Sequence, residues 1–264
     1  MSAAVSPVYG VSIALAVVCG AFVAAILLRG HGVGGARSAS LLCASAVIAV
    51  AGAKLFSLWE RGGAVWADPW WEISMGFRYP GAIMALVVAA PALRRVLREY
   101  VTLPQLGDVL APAVALSMSV VRIGCFLCGC CHGVPTAQPW GVRFPAGGLA
   151  WSAHVERGWI DVSSATSLVV HPLQLYFGLT SLVVGVVLVW WRRCQRWAGE
   201  SFFAFLLIDG AIKLGLEQLR LEYQRSLAAA AAVFALVGLA GLILGRRRAF
   251  SAASSRLAAM TSGV

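Results

Sequence analysis

GDVLAPAVALSMSVVRIGCFLCGCCHG, Gly107 to Gly133, starts as an apolar run long enough to cross a bilayer and ends in an arginine followed by four cysteines and a histidine. An arginine in the last turns of such a run is costly in lipid unless it reaches the headgroups, pairs, or lines a cavity. The cysteines admit a metal knuckle, a redox site, or small packing residues, and each reading needs a different compartment. The surrounding chain has to choose among them.

Working outward, the same apolar character recurs. The chain has 264 residues, 60 % hydrophobic and only 12 % charged, with mean hydropathy +0.82. Its apolar residues fall into seven blocks, near 9–29, 39–58, 75–93, 104–127, 171–191, 200–220 and 226–245, each of membrane-spanning length. The expected fold is all-α: a polytopic membrane protein of seven transmembrane helices. Residues 1–264 form a single integral membrane domain, with 128–170 as a loop region rich in Gly, Pro, Ser and Trp, and 246–264 as a tail. MSAAVSPVYG has no basic n-region, so the first span is expected to stay in the bilayer.

The net charge of +10 is organised by topology. Arg29 and Arg37 follow the first span, Arg94, Arg95 and Arg98 the third, Arg192, Arg193 and Arg196 the fifth, and Arg246, Arg247, Arg248 and Arg256 the seventh. The intervening connections mix Arg61, Arg143 and Arg157 with Glu60, Asp68, Glu72, Glu156 and Asp161. The positive-inside rule then puts the N-terminus outside and the C-terminus in the cytoplasm. Trp59, Trp66, Trp70, Trp71, Trp140, Trp151 and Trp159 lie in or beside the outer connections, as interfacial anchors do. These charges need no nucleic acid partner.

Depth sorts the polar residues. The fourth span runs outward, so Arg122 lies about 7 to 8 Å below its outer end at 1.5 Å per residue. The sixth carries Asp209, Lys213, Glu217 and Arg220, spaced four, four and three, on one helical face. Tyr9, Lys54, Arg78, His171, Gln174 and Tyr176 sit near the same ends of other spans, while the inner half is poor in such groups apart from Asp108. This is an outward-facing polar chamber with a basic excess, suited to an anion whose tails stay in lipid: a phospholipid headgroup. The bland alternative is a structural ladder, with Asp209 held by Lys213 one turn away and the remaining cations snorkelling.

Cys125 and Cys128 are about one helical turn apart, and Cys130, Cys131 and His132 follow as the chain leaves the membrane. They supply enough soft ligands for zinc or copper, but close thiols outside the membrane can equally oxidise to a disulfide. Cys19, Cys43 and Cys194 read as packing residues.

At this point the residues carry a resemblance to the prolipoprotein diacylglyceryl transferase family. RIGCFLCGCCHG with GVRFPAG resembles the family's signature segment, and HPLQLY resembles its H-P-x-Q-L-Y run into the next span. GESFFAFLLIDGAIKLGLEQLR resembles its penultimate helix, SMGFRYPGAIM its third span, and GDVLAPAVALSMSVVRIG the approach to its signature arginine. The resemblance implies transfer of a diacylglyceryl group from phosphatidylglycerol to the lipobox cysteine thiol of a prolipoprotein signal sequence, at the outer face of the bacterial cytoplasmic membrane. It also implies release of glycerol phosphate and no metal or organic cofactor. By resemblance Arg122 is the phosphate-binding arginine. Lys213 stands where the family has a second arginine, Glu217 and Arg220 match its acidic and basic neighbours, and Tyr9, Gly133, His171, Gln174 and Tyr176 match lipid-site positions.

The departures from that pattern matter as much. The family's third-span histidine aligns with Pro80, its signature asparagines with Cys125 and Cys128, its glutamate with Cys130, and the acidic residue after H-P-x-Q-L-Y with Phe177. Asparagine is absent from the whole chain. Retained chemistry needs a thiolate attacking the glycerol carbon that bears the phosphate, with Arg122 and Lys213 stabilising the departing charge. Glu217, His132 and His171 are the remaining candidate bases, in that order. Two other readings stay open: a related phospholipid-binding or lipid-modifying protein with changed chemistry, and a thiol-based metal-handling or redox membrane protein.

Overall fold

A computed structural model of the chain describes residues 5–62 and 77–261. Trp66, Asp68, Trp70, Trp71 and Glu72, and the first residues of the expected third span, Met75 and Gly76, lie outside the described residues. The helices are α1 (Val5–Arg29), α2 (Gly35–Arg61), α3 (Tyr79–Val96), α4 (Leu103–Leu127), the short α5 (Leu149–Glu156), α6 (Leu173–Trp191), α7 (Glu200–Glu217) and α8 (Arg225–Thr261). Among the described residues there is no strand, only isolated bridges that tie the 128–172 loop to itself and to Arg220.

Six of these helices are long and apolar enough to cross a membrane. The seventh long helix, α7, has the same 18 residues as α3 but carries Glu200, Asp209, Lys213 and Glu217. It packs against α4, α6 and α8, and all four charged side chains are buried there. The last helix runs unbroken past Gly245 to Thr261, so the expected tail continues the seventh span as helix.

In α1 the large residues are mostly exposed and the smaller ones mostly face the other helices. Along α1, Val11, Leu15, Val18, Phe22 and Ile26 are exposed, while Ser12, Ala16, Gly20, Ala24 and Leu28 are buried at every fourth position. Burial of the smaller stripe is the membrane pattern, because close backbone approach rather than the hydrophobic effect drives helix association in lipid. The α2–α3 contact shows why. A Cβ on Gly81 would lie 2.2 Å from the Gly52 carbonyl oxygen, so only glycine lets the two backbones meet.

At the centre, α4 touches α1, α3, α6 and α7. Its start is written in Thr102, whose backbone N–H donates to Gln105 Oε1 at 2.7 Å, with a proline in the first turn. At that same end Asp108 is buried because its carboxylate caps a different helix. It accepts from the backbone N–H groups of Gly199 (2.6 Å) and Phe202 (2.9 Å) at the start of α7. The positive end of the α7 dipole and two charge-assisted hydrogen bonds offset the cost of burying that acid. Asp108 therefore has a structural role, and it fixes α7 against α4.

Candidate active site

The far end of α4 builds the site. After Leu127 the chain closes with Gly129 in the left-handed region (φ 67°), its N–H donating to Phe126 O at 3.0 Å and the Cys130 N–H to Cys125 O at 3.1 Å. This pair of bonds is a Schellman closure, and it carries Cys130 back over the turn that holds Cys125. A second left-handed residue, Cys131 at φ 59°, folds the chain again. The sulfurs of Cys125, Cys130 and Cys131 then lie within 4.8 Å of one another. Cys128 and His132 fall outside the trio, and no disulfide joins any of the seven cysteines.

The turn is braced from the HPLQLY segment. Gln174 Nε2 donates to Cys130 O at 2.7 Å, and the Gly133 N–H donates to His171 O at 3.0 Å. A Cβ on Gly133 would sit 2.6 Å from His171 Cβ and 3.0 Å from the Leu219 carbonyl, so this glycine allows three segments to meet. His171 Nδ1 is 3.1 Å from the Tyr176 hydroxyl, which also accepts from Trp140 Nε1 at 2.7 Å.

Beside the thiols opens a cavity of about 250 Å³, lined mainly by apolar faces of α1, α2, α3 and α4, with Tyr9, Arg122, Cys125, Cys131 and Arg220 among its lining residues. Of the residues singled out in the sequence, these five and Arg78 share one space. Lys213, Glu217, His171, Gln174 and Tyr176 do not line it; they stand behind or beside it. Lys213 is buried with Nζ 2.6 Å from Asp209 Oδ2 and over the Tyr79 ring at 4.1 Å. Glu217 receives Arg220 Nη1 at 3.2 Å and the Gln224 N–H at 3.3 Å. Arg78 is 2.8 Å from Glu60, and Lys54 lies over the Phe77 ring.

Arg122 is placed differently from these cations. Its guanidinium carbon lies 4.6 Å from the centre of the Phe177 ring, and among the described residues no carboxylate pairs with it. The aromatic partner gives orientation and some attraction without cancelling the charge. Phe177 was legible in the sequence only as a departure; its role as a platform needed the packing of α6 on α4.

Around the thiols the electrostatics are uneven. Hydrogen bonds from Cys125 and Cys130, with the Arg220 and Arg122 charges behind them, outweigh burial and hold the Cys131 thiol well below the usual thiol range. Cys130 is pushed the other way by its two cysteine neighbours and by burial. His132 and His154 are both buried, edge to face with centroids 5.6 Å apart, and burial lowers the proton affinity of each. His154 Nδ1 accepts from the Leu168 N–H at 3.2 Å, which leaves the ring proton on Nε2. Pro80 sits in the first turn of α3, so no base stands at the third-span position.

The sequence as a whole is similar to known proteins. The family model described as prolipoprotein diacylglyceryl transferase matches residues 4–245. Three similar proteins each carry the name phosphatidylglycerol–prolipoprotein diacylglyceryl transferase, the second of them with the suffix 2. The one from Clostridium tetani is 33 % identical over 113 residues, covering 43 % of this chain and 40 % of its own length. The one from Clostridium perfringens is 26 % identical over 219 residues, covering 80 % and 78 %, and that from Geobacter sulfurreducens is 29 % identical over 168 residues, covering 63 % and 52 %. The matched region thus spans about half the length of two of these relatives and most of the third. With a match across nearly all of its length, the chain belongs to the prolipoprotein diacylglyceryl transferase family.

Proposed function

We infer that the protein transfers the diacylglyceryl group of phosphatidylglycerol to the cysteine thiol of a prolipoprotein signal sequence, as an enzyme of the bacterial inner membrane. The observation that carries this reading is that Arg122 and Arg220 both line, together with the Glu60-bound Arg78, a cavity whose other lining is largely apolar. Two guanidiniums suit the phosphate, and the apolar helix faces suit the first carbons of the acyl chains. Membership of the family supplies the reaction.

In this reading the lipid approaches sideways from the bilayer and the loop end of the bundle faces outside, with the arginine clusters after α1, α3, α6 and α8 in the cytoplasm. The acceptor sulfur attacks the glycerol carbon, and the C–O bond to phosphate breaks. Arg122, free of any acidic partner among the described residues, carries most of the charge stabilisation, since an interaction that strengthens as the phosphate departs lowers the barrier directly. Arg220 adds to it, tempered by its bond to Glu217, while Lys213, held by Asp209, acts from behind the lining. His171, Gln174, Tyr176 and Gly133 hold the loop that shapes the mouth. Glu217 remains the first candidate to take the acceptor proton, ahead of His132 and His171.

The test is a two-product assay. Purified protein receives phosphatidylglycerol and a lipobox peptide, and glycerol phosphate release is followed together with the mass gain of the peptide. Equal molar appearance of both is expected. Folded protein that yields neither would remove the transferase reading.

A further inference from the structure

We propose that Cys125, Cys130 and Cys131 form a three-thiolate zinc site whose fourth position receives the thiol of the acceptor peptide; the proposal rests on the transferase reading above and gives it a route to the thiolate that does not depend on Glu217. The family's third-span histidine is Pro80 here, and Glu217 is already engaged by Arg220 and by the Gln224 N–H. A metal that binds the incoming thiol removes the need for a dedicated base, because a coordinated thiol is deprotonated outright.

The geometry suits zinc. Tetrahedral bonds of about 2.3 Å set sulfurs about 3.8 Å apart, and the three sulfurs lie within 4.8 Å of one another, so they need to draw in by no more than about 1 Å. The backbone supports a purpose for them. Cys131 is the one described non-glycine residue at positive φ; glycine would hold that turn at less cost, and strain of this kind persists where a side chain is needed. Cys125 and Cys131 line the cavity, while Cys130, which does not, is held through its carbonyl by Gln174. The open coordination position therefore faces the space that Arg122 and Arg220 also line. Three thiolates and an acceptor thiolate around one zinc leave an anionic centre, which the two guanidiniums offset. A catalytic zinc keeps such an open position, whereas a structural one fills it with a fourth residue; neither Cys128 nor His132 belongs to the trio.

The step balances without an oxidant. The acceptor thiol binds the metal and its proton leaves to water at the cavity mouth. The bound sulfur forms a bond to the glycerol carbon as the bond from that carbon to the phosphate oxygen breaks. The electron pair leaves on that oxygen, giving glycerol phosphate and a thioether that the zinc then releases.

Full-length protein in detergent, stripped with a chelator, would be titrated with Co²⁺ and Zn²⁺ alone. One equivalent of cobalt with a thiolate charge-transfer band is expected, displaced by zinc. Cys125→Ser, Cys130→Ser and Cys131→Ser should each weaken binding at least about tenfold, while Cys43→Ser should leave it unchanged. A lipobox peptide should shift the cobalt ligand-field bands, and its cysteine-to-serine analogue should not. Absence of the band in folded wild-type protein, or its survival with all three cysteines replaced, would overturn the site. If the stripped protein releases glycerol phosphate at full rate, the zinc role is wrong and the transferase reading stands. If the band and the peptide shift appear but no glycerol phosphate is released, the site stands and the transferase reading falls.

Discussion

The Lys213 ammonium lies 2.6 Å from the Asp209 carboxylate one helical turn away, and both side chains are buried between α7 and its neighbours. A buried pair is a weak source of net stability but a strong source of loss when halved, since the survivor is left charged without a partner. Asp209→Asn should therefore destabilise the protein by about 3 to 5 kcal/mol. Asp209→Asn combined with Lys213→Met should recover most of that. Thermal unfolding in detergent checks it, and a double variant no more stable than the single one would contradict the pairing as the cause.

Gly133 is held by packing on three sides. Gly133→Ala puts a methyl 2.6 Å from His171 Cβ and 3.0 Å from two carbonyl oxygens, and backbone must move to admit it. A loss of about 1 to 3 kcal/mol is expected, accompanied by faster alkylation of Cys130 and Cys131 as the turn loosens. Mass-resolved alkylation at matched temperature reads the second effect; an unchanged rate would mean that the Gly133 contact does not brace the thiol turn.

The loop carries a pH dependence through His154. It is fully buried, faces His132 and Arg157, and burial is the first cause that lowers its proton affinity below the ordinary value of 6.5. The unfolded chain then binds a proton that the folded loop refuses. Stability is full above the ordinary histidine value, falls as pH drops through it, and stops falling below the folded value. Hydrogen exchange of residues 142–170 should quicken between about pH 7 and pH 5. His154→Gln, which can still accept from Leu168, should flatten that dependence; an identical slope in the variant would assign it elsewhere.

Much of the fold was legible because lipid makes few demands of a sequence. Among the described residues the seven apolar runs correspond to seven long helices, six of them long and apolar enough to cross a membrane. The Asp209–Lys213 ion pair is the one that the four-residue spacing offered as the alternative to a phosphate-binding Lys213. The thiol site was less legible. Cys125 and Cys128 are one turn apart in sequence, yet the sulfurs that converge are those of Cys125, Cys130 and Cys131, because a Schellman closure and a left-handed Cys131 reverse the chain. Nor does spacing show that Arg78 reaches Glu60, or that Phe177 supplies a ring to Arg122, since each contact depends on how two different helices pack.

The proposed orientation rests on the arginine clusters. Reporter fusions after Arg98, Arg196 and Arg248 should report cytoplasm, and fusions within 135–165 the exterior. The opposite pattern would put the cavity on the wrong side of the membrane for a secreted acceptor.

The most direct measurement is turnover of the Arg122→Gln protein with phosphatidylglycerol and a lipobox peptide. Arg122 lines the cavity against Phe177 and has no acidic partner among the described residues, so in the proposed reaction its charge is the one left to act on the departing phosphate. Loss of about 1.4 kcal/mol of transition-state stabilisation is already tenfold. The account predicts at least that drop in the rate of glycerol phosphate release, with Arg37→Ala at the opposite end of the bundle within about twofold of wild type. Full rate in a folded Arg122→Gln protein would contradict it.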